Sequence, residues 1–102
     1  MLPTDQFEEL VEAGISADDS EQRSLAIEEL ARAPAVQVVG GLSRILREDR
    51  DHRSRRTALD VLIHLPAIPA VAEKRRALLE MLTADSDTNI AETARAAAAN
   101  AG

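Results

Sequence analysis

The chain has 102 residues, no cysteine and a formal net charge of −6, which bounds it to one domain with a modest core. The missing cysteine excludes a disulfide framework, thiolate catalysis and a cysteine-based zinc site. The 45% of hydrophobic residues are almost all Ala, Leu, Val and Ile, with Phe7 the one aromatic residue. That mix favours helices over strands and excludes disorder throughout.

The opening Met-Leu-Pro-Thr-Asp-Gln-Phe-Glu-Glu is acidic where a secretory signal is basic and then apolar. No apolar run approaches the roughly 20 residues that span a bilayer. A cytoplasmic chain with no membrane partner is the expectation.

Apolar residues recur at helical spacing nearly everywhere. The spacing predicts a first helix from Thr4 to Ala13, with Thr4 or Asp5 as N-cap, Phe7, Leu10 and Val11 as its stripe, and Gly14 ending it. A capping cluster at Asp18, Asp19, Ser20 and Glu21 then starts a second helix that runs to about Arg32 and buries Leu25, Ala26, Ile27 and Leu30. Pro34 stops it and suits the first position of the next. The third helix extends to Arg47, with Val36, Val39, Leu42, Ile45 and Leu46 as its apolar side. Gly40 and Gly41 inside it mark a bend or a close neighbour, since each glycine costs about 1 kcal/mol relative to alanine. A fourth helix from about Asp51 to Leu65 carries Ala58, Leu59 and Leu62 before Pro66 and Pro69 interrupt. The fifth carries Val71, Ala72, Leu78, Leu79 and Leu82 and ends near Thr83. The sixth starts near Asp87 and dissolves into the alanine-rich stretch from Ala96 to Ala99.

Charge is unevenly divided. Residues 1–43 balance at −7, residues 44–76 at +4 and residues 77–102 at −3. Three segments also share a register. Asp19, Asp51 and Asp87 are followed seven residues later by Ala26, Ala58 and Ala94, and four further on by Leu30, Leu62 and Ala98. Arg23 and Arg55 occupy one matching place, and Pro34 and Pro66 another. The period is 32 and then 36 residues, and the extra four make about one helical turn.

This register resembles the HEAT-repeat family, whose units carry D-x-D-x-x-V-R-x-x-A-x-x-x-L at the start of one helix. The resemblance covers roughly residues 17–98. It implies an all-α fold, a short right-handed α-solenoid of about three HEAT-like helical hairpins with five to six helices. Residues 1–16 would be an N-terminal capping helix, 17–48 and 49–84 two repeats, and 85–102 a partial third. It also implies that Ala26, Leu30, Ala58, Leu62 and Ala94 pack between helices and that Asp and Arg tie successive units together. Ala17 in place of the first Asp, Gln22 and Ser54 in place of the Val, and Ala91 in place of the Arg leave the outer copies weakly tied, as terminal repeats often are. A plain helical bundle is the alternative, because R-x-x-A-x-x-x-L arises by chance in Ala-, Arg- and Leu-rich helices.

No catalytic, cofactor or metal site is legible. His52 and His64 have no second histidine at helical spacing, and His64 suits a half-buried or helix-ending role. Asp49 and Asp51 begin like a calcium loop and Asp60 falls at its twelfth position, but Ser54 stands where glycine is needed and Arg53 and Arg55 take ligand places. The segment from Gly40 to Ser43 is neither a phosphate loop nor a nucleophile elbow. Carboxylate pairs such as Glu8–Glu9 and Glu28–Glu29 read as solvated helix faces.

The sharpest feature is basic. Arg44, Arg47, Arg50, Arg53, Arg55 and Arg56 fall within thirteen residues, and Lys74, Arg75 and Arg76 follow. They form either a surface for an acidic protein segment or nucleic-acid backbone, or a set of local ion pairs with Glu48, Asp49, Asp51, Asp60, Glu73 and the acidic first hairpin. Nucleic acid is disfavoured by the acidic total and the missing aromatics. Val36, Val38 and Val39, and the alanines from Ala94 to Ala101, are either core and tail or a docking or self-association surface. The expectation is therefore a non-enzymatic scaffold that presents a helical surface to a protein partner. An anion binder acting through residues 44–56 and 74–76, or an accessory part of a larger HEAT-like enzyme, are the alternatives.

Overall fold

The computed structural model describes residues 4–48, 52–66 and 68–100. Among them are six helices and no strand: α1 (Thr4–Ser16), α2 (Ser20–Leu30), α3 (Ala35–Glu48), α4 (His52–Ile63), α5 (Pro69–Leu82) and α6 (Thr88–Asn100). Asp49, Arg50, Asp51 and Ala101, all named above, lie outside the described residues, as does the Thr4 side chain.

The helices lie in two rows. In one, α1 packs on α3 and α3 on α5; in the other, α2 packs on α4 and α4 on α6. Between the rows α1 meets α2, α3 meets both α2 and α4, and α5 meets α6. The principal extents are 34 × 29 × 16 Å. The shortest is about one helix spacing of 8–10 Å plus a backbone radius of about 2.3 Å on either side, as two rows require.

Local chemistry sets the helix ends. Asp19 is extended and its carboxylate accepts the Glu21 N–H at 3.0 Å, which starts α2. After Leu30 the chain tightens through Arg32 N–H to Glu29 O and Ala33 N–H to Leu30 O, and Pro34 closes the turn. The Pro34 carbonyl then accepts the N–H groups of Gln37 and Val38, so the proline launches α3 without needing an amide proton. Pro69 is the first residue of α5 after an extended Ile68. Asp87 accepts the N–H groups of Asn89 and Ile90 at 2.9 and 3.2 Å and caps α6.

One apolar cluster runs through both rows. Ile27, Leu30, Val38, Val39, Leu42, Ile45, Ala58, Leu62, Val71, Ile90 and Ala94 are fully enclosed, and Ala26 is buried as well. Each row alone would leave that stripe in water; stacking the rows removes it, at about 25 cal/mol per Å² of apolar surface.

The structure corrects several expectations. Gly14 does not end α1, which continues to Ser16; no described residue has positive φ. A Cβ there would meet Ile27 Cγ1 and Ile45 Cδ1, each at 3.2 Å. The missing side chain lets α1 approach α2 and α3 together. Leu25 is 57% exposed rather than buried, because Leu25, Ala26 and Ile27 span about 200° of helix and α2 has its partners on the other arc. Val36 is 52% exposed, whereas Val38 and Val39 are core. Instead of dissolving at its alanines, α6 stays helical to Asn100, with Ala91 and Ala94 buried and Ala97 and Ala98 packed against the core.

Candidate functional site

The basic residues of the middle segment are divided between the two rows. Arg44 and Arg47 stand on α3 and Lys74, Arg75 and Arg76 on α5, whereas Arg53, Arg55 and Arg56 stand on α4 of the other row. Arg50 lies outside the described residues.

Most of the cations already have work within the chain. Arg44 bonds the Glu12 carboxylate on α1, bonds Glu48 at 2.9 Å one turn along its own helix, and has Glu8 at 3.7 Å. Those hydrogen bonds, Glu12 first and then Glu48, raise its pKa above the ordinary arginine value, so it is a fixed positive tie. Arg55 donates to both oxygens of Asp85, and Arg56 lies 3.7 Å from Asp87. Arg75 donates to the Leu65 carbonyl at 2.8 Å, holding the turn after α4 against α5. His52 and Arg53, exposed on α4, are not free of interactions either.

The Arg55–Asp85 tie is the best-protected of these, with side chains 12% and 8% exposed. It joins residues 30 apart, and its counterpart one step earlier is Arg23, whose Nε donates to the buried Ser54 hydroxyl at 3.3 Å and whose guanidinium also bonds the Ala17 carbonyl. Beside it the Thr57 hydroxyl is 3.1 Å from that of Ser24. Asp85 also accepts the Asp87 N–H at 2.8 Å. The Asp87 carboxyl is held below the ordinary aspartate range, chiefly by the Ile90 N–H, with the Arg56 charge, the Asn89 N–H and the His52 charge adding to it against a desolvation effect of opposite sign.

Arg47, Lys74 and Arg76 make no ion pair among the described residues, and all three are exposed. Arg47 and Lys74 flank a shallow groove of about 230 Å³ between α3 and α5, whose remaining walls are Gly40, Ser43, Ala77 and Leu78. Gly40 also borders the neighbouring groove between α1 and α3, over Phe7, Val11 and Val36. A Cβ on Gly40 would meet nothing within 4 Å, whereas one on Gly41 would meet Phe7 Cζ at 2.8 Å. The two glycines thus have different reasons: Gly41 seats the α1 ring, and Gly40 keeps the outer ridge of α3 low. Sequence reading missed this split, because the pair looks alike until α1 is laid against one side of α3.

His64 is exposed, with Nδ1 2.7 Å from the Asp60 carbonyl in the last turn of α4, which is a helix-ending role. Among the described residues no three His, Asp or Glu side chains converge on a point that holds a metal ion, and no helix is long and apolar enough to cross a membrane.

Compared with known proteins, the chain matches no family model, no curated protein and no solved structure.

Proposed function

We propose that this chain is a non-enzymatic interaction module, a short HEAT-like array of helical hairpins that presents a grooved helical surface to a protein partner. The observation that carries the reading is that the two arginines matched in the register each reach into the segment that follows. Arg23 donates to Ser54 and Arg55 to Asp85, 31 and 30 residues on, and Thr57 meets Ser24 beside the first of them. A chain whose neighbouring units are tied to one another in sequence builds an extended surface rather than an enclosed pocket. In this reading α1 caps the array, α2–α3 and α4–α5 are its successive repeats, and α6 belongs to a partial third.

A protein partner is favoured over a nucleic-acid backbone. Arg44, Arg55 and Arg56 are neutralised by acids of the same chain, so few positive charges remain to displace counterions from phosphates. The Arg47–Lys74 groove combines charge with apolar walls, as protein recognition requires.

The test is affinity capture from the native host with tagged wild-type chain and an Arg47→Glu/Lys74→Glu variant, followed by mass spectrometry. The expected result is a defined protein retained by the wild type and lost by the variant, at unchanged melting temperature. Retention of nucleic acid alone, or turnover of a substrate by the purified chain, would overturn the proposal.

A further inference from the structure

We infer that a second copy of this chain fits the α3–α5 groove: the acidic outer face of α2 on one copy docks there on the next, with Leu25 as the knob. Two departures from local helix rules motivate this. Gly40 is a glycine in an exposed helix interior, disfavoured by about 1 kcal/mol relative to alanine, and no contact within the chain accounts for it, since a Cβ there meets nothing. Leu25 is the most exposed large apolar side chain of the described residues, at 57%. A knob that needs a hole and a hole that needs a knob lie on one molecule.

Their surroundings match in charge. On α2, Glu21 and Glu28 sit four residues before and three after Leu25, so both share its face, and both are exposed; Glu29, on the same face, is paired with Arg32 at 3.7 Å. The hole is lined by the small Gly40, Ser43 and Ala77 and flanked by Arg47 and Lys74, which make no ion pair among the described residues. A leucine seated between Gly40 and Ala77 brings glutamates one turn above and below it towards those two cations. The chain already uses this pairing internally, where the α1 carboxylates of Glu8 and Glu12 close on Arg44 of the same α3.

Position decides the kind of assembly. α2 belongs to one row and the α3–α5 groove to the other, so a single copy offers both surfaces at once. The contact is therefore heterologous and adds copies head to tail instead of closing a symmetric dimer. One helix crossing buries less than the roughly 800 Å² per partner of a stable complex, so a dissociation constant of about 0.1–1 mM is expected. This goes beyond the scaffold reading and does not depend on it.

The experiment is sedimentation velocity on purified chain at rising concentration, with two exposed-surface variants whose folding is checked by circular dichroism. Variant one, Leu25→Ser/Glu28→Lys, lacks the knob; variant two, Arg47→Glu/Lys74→Glu, lacks the hole. Wild type should grow past a dimer, and each variant alone should associate about tenfold more weakly or not at all. An equimolar mixture should form a one-to-one heterodimer and stop there, since only one intact knob–hole pair remains. Gly40→Ala should weaken wild-type association while raising its melting temperature. A wild type that stays monomeric throughout, or a mixture that stays monomeric, overturns the inference. So does association of either variant equal to that of the wild type. No other protein is present, so none of these outcomes bears on binding to a foreign partner.

Discussion

Arg55 on α4 grips Asp85, thirty residues away in the turn before α6, through Nε to Oδ2 at 2.9 Å and a second guanidinium nitrogen to Oδ1 at 3.1 Å. Both side chains are nearly enclosed, and Asp85 in turn accepts the Asp87 amide. The pair therefore fixes where α6 begins as well as how it meets α4.

Removing Arg55 takes the cation away from a nearly enclosed carboxylate. Arg55→Ala should destabilise the chain by about 3 kcal/mol, read from urea midpoints. The double variant Arg55→Met/Asp85→Leu should recover most of that loss, because apolar replacement of both partners leaves no buried charge behind. A single variant within 0.5 kcal/mol of wild type by that assay, on the order expected for a surface ion pair, would contradict the role given to this tie.

The adjacent glycines should respond in opposite directions. Gly40→Ala adds a methyl group to open space and removes a helix penalty, so it should stabilise by about 0.5–1 kcal/mol. Gly41→Ala drives its Cβ into the Phe7 ring and should destabilise by about 1–3 kcal/mol. Thermal melts of the two variants side by side make the comparison.

Ala58 is fully enclosed on α4. Ala58→Glu places a carboxylate in a fully enclosed position of the core, and the expected outcome is loss of the cooperative unfolding transition. Ala58→Ser, which adds one small polar group, should keep a transition at lower temperature. A melting temperature unchanged by Ala58→Glu would mean that the helices do not pack through that alanine.

Acid should loosen the start of α6. The Asp87 carboxyl is depressed below the ordinary value of about 3.9 by the Ile90 N–H and its neighbours. A depressed carboxyl contributes stability that is fully present above the unfolded value and lost as pH falls through the folded one. Asp87→Asn keeps a capping oxygen without the titration. Its stability should therefore change less than that of the wild type below about pH 4, measured by denaturant midpoints across the acid range.

Helix order was legible because its signals are local. Pro34 and Pro69 stand at the starts of α3 and α5, and Asp19 and Asp87 cap α2 and α6, as residue type and position suggest. The alanines in register, Ala26, Ala58 and Ala94, are all buried. Gly14, Leu25 and Val36 were misread for a shared reason. Periodicity tells which residues share a face, but not how wide an arc the neighbours cover. Leu25 falls just outside the arc that α2 buries, and Gly14 sits where two helices converge on α1.

The basic segment shows the same boundary. Its composition and its surplus of positive charge are properties of the sequence alone, as are six amphipathic segments punctuated by proline. Which arginines remain available was decided only by tertiary structure. Arg44 and Arg47 are three residues apart on one helix, yet the first turns to the α1 carboxylates and the second to the α3–α5 groove. Three residues turn a helix by about 300°, enough to shift a side chain from one groove to the next. Nothing short of the placement of α1 and α5 against α3 tells a structural cation from one that faces a partner.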